Sequence, residues 1–300
     1  MHVHDRTSSL RALRIALAST AVLLVLETAG GFVSGSLALL ADAAHVLTDL
    51  LGLVLSYTAT KLALRPATPH RSYGLYRAEV LAALANSALL LVLSGVLLVE
   101  AYGRLRHPSP LQSGTMLAVS LLGLVGNGVS LWALHRGRDS SLNLRAAYLE
   151  ILADTFGVLA VLVGAVIIRA TGIVAVDPIL SALLSVAIVP RTIKLVREAL
   201  HVLLEGTPPG LTHDAVEAEM RSVPGVVGVH DLHIWLLTSG VPVLTAHVVT
   251  SGASGTSGGG PGCDDVLDKI VARLHEAFEI DHTTIQIEHE SRESREESGF

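Results

Sequence analysis

Six apolar stretches, each near the roughly 20 residues a helix needs to cross a bilayer core, run over 13–33, 37–60, 79–100, 114–134, 146–168 and 177–200. In hydrocarbon, backbone amides and carbonyls have no water to bond, so segments of this length are left with the helix as their form. The expectation is a membrane all-α six-helix bundle. The first run, ALASTAVLLVLETAG, has the look of a secretory signal, but Glu27 lies in it and further spans follow without a soluble region. It reads as an uncleaved helix. Composition agrees, since 50% hydrophobic and 16% charged residues with a mean hydropathy of +0.56 are too apolar for an ordinary soluble domain.

Lys and Arg collect in the short cytoplasmic loops of membrane proteins. Arg6, Arg11 and Arg14, then Lys61, Arg65, Arg71 and Arg77, then Arg136, Arg138 and Arg145, then Arg191, Lys194 and Arg197 fall on one side, against Arg104, Arg106 and Arg169 on the other. This places both termini in the cytoplasm of a multi-pass protein of the cell (inner or plasma) membrane. The basic residues form no stripe, so nucleic acid is not an expected partner; lipid is. Cys263 is the single cysteine, which leaves neither a disulfide framework nor a thiolate cluster within one chain. Any metal site must use His, Asp and Glu.

The transmembrane part is expected over 1–204, a cytoplasmic domain over 205–290 and a disordered tail over 291–300, SRESREESGF. EGTPP at 205–209 reads as the linker. Beyond it the order is α-β-β-α-β: a helix over 213–222 capped by Thr212, strands in VVGVHDLHIWLL and PVLTAHVVT around a Ser-Gly turn, a helix over 264–279 and a strand in HTTIQIEHE. SGASGTSGGGPG, 251–262, is a flexible loop and not a phosphate-binding one, because it lacks a GK[ST] ending.

In the second span, ADAAHVLTDLLGL sets His45 and Asp49 four residues apart, on one helical face. The fifth span repeats the spacing with Glu150 and Asp154 in YLEILADTFG. Each intramembrane carboxylate costs at least a few kcal/mol, so four ionisable groups at two matched depths need a shared reason. One nitrogen and three carboxylate oxygens from two facing helices make a four-coordinate shell for a divalent cation. The competing reading is a structural polar network in which His45 bonds a neighbouring acid. Against it, neither span holds a Lys or Arg to balance three acids.

The runs SGSLALLADAAHVLTDLLG, HRSYGLYRAEVLAALANS and NLRAAYLEILADTFGVLAVL, with HDLHIW, LTAHV and TIQIE in the tail, resemble the cation diffusion facilitator family over nearly the whole chain and in the right order. The resemblance implies six transmembrane helices, a cytoplasmic α+β domain of ferredoxin-like fold, homodimerisation, and exchange of Zn²⁺ or a similar ion for protons. It also implies that His45, Asp49 and Asp154 are transport-site ligands. Glu150 departs from the pattern, because zinc-transporting relatives usually have His there. A carboxylate is a harder ligand than imidazole, so Mn²⁺, Co²⁺ or Ni²⁺, and Cd²⁺ stand beside Zn²⁺ as alternative main substrates. The family's frequent aspartate before His70 is missing, with Thr68 and Pro69 there, and a metal site in that loop is not expected.

By the same resemblance His230, His247 and His282, on three strand-like segments, match cytoplasmic metal sites; His233, Cys263, Glu288 and His289 are weaker candidates. Asp42 reads either as a residue passing cations or protons or as a helix-face acid near the membrane boundary. Glu27 and Asn127 read as pathway residues or interhelical hydrogen-bond partners, the structural role being preferred for both, and Arg77 with Glu79 as a cytoplasmic ion pair. His2 and His4 read either as weak metal ligands or as part of a mobile end.

The expected function is efflux of divalent cations, Zn²⁺ first, from the cytoplasm in exchange for protons. The metal is substrate, and no separate cofactor is expected. Metal binding needs deprotonated ligands, so metal and protons compete for one site. The expected protein is a secondary transporter, not an enzyme. An intramembrane metallohydrolase would need an activated water and a general base, and no HExxH motif occurs. A passive channel suits rings of like residues better than one tetrahedral site. A metal sensor would be indifferent to Asp154→Ala.

Overall fold

The computed structural model describes residues 3–63, 66–135, 142–238, 240–251 and 263–288. The chain divides into two compact units, one of residues Met1–Tyr57 with Ala83–Val196 and one of Thr58–Ala82 with Arg197–Phe300. The six expected spans are helices: α1 (Val3–Ser34), α2 (Leu37–Ala63), α3 (Ala78–Arg106), α4 (Ser113–His135), α5 (Leu142–Thr171) and α6 (Val176–Leu203). Among the described residues, five segments are long and apolar enough to cross a membrane, namely Ile15–Ser34, Ala78–Arg106, Ser113–His135, Ala147–Thr171 and Val176–Leu203. The sixth helix, α2, has 27 residues and carries Asp42, His45 and Asp49.

The first unit is apolar outside and buries small and polar residues beside apolar clusters. Val25, Phe32, Val92, Val99, Trp132 and Leu183 are exposed, whereas Ser120, Asn127, Ser130, Ser181 and Ser185 are buried. Such an arrangement suits hydrocarbon as solvent, where small residues let helices approach closely. α4 packs between α1 and α5. At Gly126 an added Cβ would lie 3.2 Å from three atoms of Leu23, so the α1–α4 approach depends on that missing methyl. Ser19 Oγ donates to the Gly126 carbonyl at 3.0 Å across the same seam.

Helix ends are set by local chemistry. Gly35 (φ 73°) follows α1 and Gly172 (φ 74°) follows α5, the left-handed conformation in which glycine terminates helices at low strain. α2 starts on a carboxylate from another helix. Asp177, buried in the first turn of α6, accepts hydrogen bonds from Ser36 Oγ at 2.5 Å and from the Leu37 and Ala38 amides at 2.8 and 3.2 Å. Those amides lack intrahelical partners, and the N-terminal dipole favours an anion there. Farther along α6, Pro190 lies inside the helix.

In the second unit, Thr212 Oγ1 accepts from the Ala215 amide at 3.3 Å and caps α7 (His213–Arg221). There follow β1 (Val226–Thr238), β2 (Val241–Thr250), α8 (Cys263–Phe278) and β3 (His282–Glu288). The tail is an α+β domain of the ferredoxin-like kind, its sheet ordered β1-β2-β3, with β1 antiparallel and β3 parallel to β2. A parallel neighbour needs a crossover, which α8 supplies. Val216 and Met220 of α7, with Val266, Ile270 and Leu274 of α8, recur at four-residue spacing and are buried against the sheet. Leu244, Ala246 and Val248 of β2 face the same core, so the two-residue period turns His247 to the opposite face.

The turn before α3 belongs to this second unit. Arg77 pairs with Glu205 at 2.9 Å, not with Glu79, which accepts from Thr238 Oγ1 at 3.5 Å. Arg77 lies just before α3 and Glu79 two residues on, a spacing at which side chains do not face each other. The glycine-rich loop after Ser251, the tail over 291–300, His2, His289 and the side chain of His4 lie outside the described residues.

Candidate metal centre

Four side chains from two helices meet in the first unit. Ligand atoms of His45 and Asp49 on α2 and of Glu150 and Asp154 on α5 all lie within 4.8 Å of one another. His45 Nε2 is 3.5 Å from Asp49 Oδ2 and 3.6 Å from Asp154 Oδ1. Metal–ligand bonds of about 2.0 Å in a tetrahedron put neighbouring ligand atoms about 3.3 Å apart, so small side-chain movements bring these three to bonding geometry. The backbone beneath them is braced: Thr48 Oγ1 donates to the His45 carbonyl at 2.8 Å, and Asn86 Nδ2 of α3 donates to the Thr48 carbonyl at 2.9 Å. All four grouped residues are half-buried, which leaves a cation a way in.

A fifth residue changes the charge of the group. Arg191 of α6 donates from Nη1 to Glu150 Oε1 at 2.9 Å and from Nη2 to Glu150 Oε2 at 3.2 Å. The spans 37–60 and 146–168 hold no Lys or Arg of their own, but α6 supplies one. Arg191, counted above among the inner basic residues, lies within α6 and reaches across to α5. Nothing local in the sequence announces it, because the two partners are 41 residues apart.

Asp42 is buried one turn from His45, and its Oδ1 would be 3.1 Å from a Cβ added at Gly157 of α5. Glu27 is 1% exposed, and its Oε1 would be 3.4 Å from a Cβ added at Gly123 of α4. Its Oε2 and the Asp42 Oδ2 are buried with no hydrogen-bond partner among the described residues. The two carboxyl groups are neighbours across α1 and α2.

The tail has its own cluster. His230 and His247 are directly opposed on β1 and β2, with ring centroids 5.1 Å apart. Both reach buried Glu288: His230 Nε2 lies 3.1 Å from Oε2 and His247 Nδ1 lies 3.5 Å from Oε1. Gln286 Nε2 also donates to Glu288 Oε1 at 2.8 Å. The third member is thus Glu288 and not His282. In the parallel register His247 is opposite Gln286 and His282 is opposite Val243. His282 shares the face of His247 but lies four residues back along β3, about 13 Å away at strand rise, where its ring contacts Tyr73 edge-on at 5.4 Å. His233 bonds Asp231 at 2.9 Å, and Cys263 is exposed at the start of α8.

Residues 13–204 match the cation efflux transmembrane domain, and residues 208–290 match the cation efflux protein cytoplasmic domain. The chain belongs to the cation efflux family of cation diffusion facilitators. It is 42% identical to the metal cation efflux system protein CzcD of Cupriavidus metallidurans, over 96% of this chain and 89% of that one. It is 37% identical to the zinc transporter ZitB of Escherichia coli (96% and 93% covered) and 32% identical to the cadmium, cobalt and zinc/H(+)-K(+) antiporter of Bacillus subtilis (97% and 92% covered). The metal-bound C-terminal domain of the CzcD transporter aligns with 26% of this chain and 99% of its own, at 38% identity and a TM-score of 0.22.

Membership settles the class of activity. The protein is a multi-pass membrane transporter for efflux of divalent metal cations, not an enzyme. The second matched region is the dimer-forming cytoplasmic domain, so a second copy of the chain and metal ions are its partners.

Proposed function

We propose that the protein exports Zn²⁺ from the cytoplasm in exchange for protons, with His45, Asp49, Glu150 and Asp154 as the transport site and both termini in the cytoplasm. The observation that carries this reading is the convergence of four ligand atoms from α2 and α5 within 4.8 Å. Imidazole and carboxylate oxygens bind a divalent cation only when deprotonated, so cation binding expels protons and acid on the far side expels the cation. Two named relatives agree with the substrate: the E. coli protein is a zinc transporter, and the B. subtilis protein is an antiporter of cadmium, cobalt and zinc against protons and potassium. Carboxylate-rich coordination widens tolerance, so Cd²⁺, Co²⁺, Ni²⁺ and Mn²⁺ are secondary substrates.

His230, His247 and Glu288 support a second metal site, in the cytoplasmic domain. Its ligands come from all three strands, so occupancy would tie the sheet together and stabilise the dimer-forming domain. His282 has no part in that proposal.

Liposomes containing the purified protein test the reading through Zn²⁺, Mn²⁺, Co²⁺, Ni²⁺ and Cd²⁺ flux with and without a pH gradient. Zn²⁺ flux that depends on the gradient and disappears in Asp49→Ala is expected. Flux indifferent to the gradient would make the protein a passive pathway, and unchanged flux in Asp49→Ala would remove the site assignment.

A further inference from the structure

We propose that Arg191 is a positioning residue of the transport site, setting its charge and restraining Glu150; this rests on the transport-site reading above. Both terminal guanidinium nitrogens, Nη1 and Nη2, engage the Glu150 oxygens, at 2.9 and 3.2 Å. This fork-on-fork pairing fixes the carboxylate plane as well as its position. Arg191 and Glu150 come from α6 and α5, while His45 and Asp49 come from α2, so the pair brings a third helix to the site.

Charge matching gives the arrangement its meaning. When a cation is bound its ligands are deprotonated, so the three carboxylates carry −3 and Arg191 brings the set to −2. A divalent cation is then balanced with nothing left over. Without Arg191 the set would hold a divalent ion too well to release it, and release is half of transport. The same pairing makes Glu150 a restrained ligand. Each carboxylate oxygen has about two lone pairs, and the fork occupies one on each, so Glu150 contacts a cation only with its remaining lone pairs or by loosening from Arg191. His45, Asp49 and Asp154 are the firm ligands, and Glu150 is the adjustable fourth.

A purely structural ion pair and a charge-setting one differ in sign. If the pair only braces α5 against α6, losing either partner weakens cation binding. If Arg191 sets the charge, R191Q strengthens Zn²⁺ binding and E150Q weakens it. At separations of several ångströms in a hydrated site, one unit charge acting on a divalent ion is worth about tenfold in affinity.

The test is Zn²⁺ titration calorimetry on the full-length protein in detergent, with Zn²⁺ flux in liposomes, for wild type, R191Q, R191K, E150Q and E150Q/R191Q. The cytoplasmic cluster is removed throughout by His230→Ala, His247→Ala and Glu288→Ala together, so that one site is read. Expected are about tenfold tighter binding with slower maximum flux in R191Q, about tenfold weaker binding in E150Q, recovery to within about threefold in the double variant, and near-native affinity in R191K. Weaker binding in both single variants, or no change in R191Q, overturns the inference. Should R191Q not fold, E150Q/R191Q binding no tighter than E150Q overturns it equally. Asp49→Ala separates the two levels: if it abolishes binding while R191Q is silent, only the role of Arg191 falls, and if it is silent, the transport site falls with it.

Discussion

The Ser36 hydroxyl donates to Asp177 Oδ1 at 2.5 Å, so α2 begins on a carboxylate that belongs to α6. Two α2 amides bond the same carboxylate, and all of these groups are buried. Asp177→Ala leaves three donors unmatched away from water, where each unsatisfied group costs about 1–3 kcal/mol. A lowered thermal midpoint in detergent, by several degrees at least, is expected, with Asp177→Asn intermediate. A midpoint equal to wild type in Asp177→Ala would show that α2 is held elsewhere.

At the α1–α4 seam, Gly126→Ala presses a methyl against Leu23, and overpacking of this kind costs about 1–3 kcal/mol. Leu23→Ala in the same chain relieves the contact. The two substitutions together are therefore expected to be less damaging than the sum of each alone, as read by thermal midpoints in a double-mutant cycle. Strict additivity would count against the close approach.

Zn²⁺ affinity at the transport site is expected to rise with pH. Each proton displaced on binding contributes about tenfold per pH unit below the ligand's own protonation range, because acid fills the lone pairs that the metal needs. Isotherms between about pH 6 and 8, where imidazole titrates when unperturbed, measure the slope. A flat profile would mean that binding releases no proton and would undo proton exchange.

In the cytoplasmic domain, Glu288→Ala is expected to weaken Zn²⁺ binding at the second site by at least about tenfold, while His282→Ala changes it by less than about twofold. Calorimetry on the full chain carrying Asp49→Ala, which empties the transport site, isolates the signal. The reverse ranking would restore His282 as the ligand.

What was legible in the sequence follows the range over which each signal acts. Spans and helix faces are short-range properties, so apolar runs located α1 to α6 and i,i+4 spacing found both pairs of the cluster that α2 and α5 bring together. The order of the tail elements came from periodicity and turn residues in the same way. Register is different. His230, His247 and His282 look equivalent on paper, yet the parallel pairing of β3 carries Glu288 to His247 and leaves His282 at the far end of the strand. Arg191 and Asp177 were missed for a related reason: each acts on a partner from a distant helix. A count of uncompensated acids across the whole bundle, rather than along two spans, would have raised Arg191 as a candidate.

Pro190 precedes the arginine that grips Glu150, and proline has no amide hydrogen to give the Val186 carbonyl. α6 therefore lacks one rung of its own ladder directly before Arg191, and a Pro190→Ala substitution would restore it.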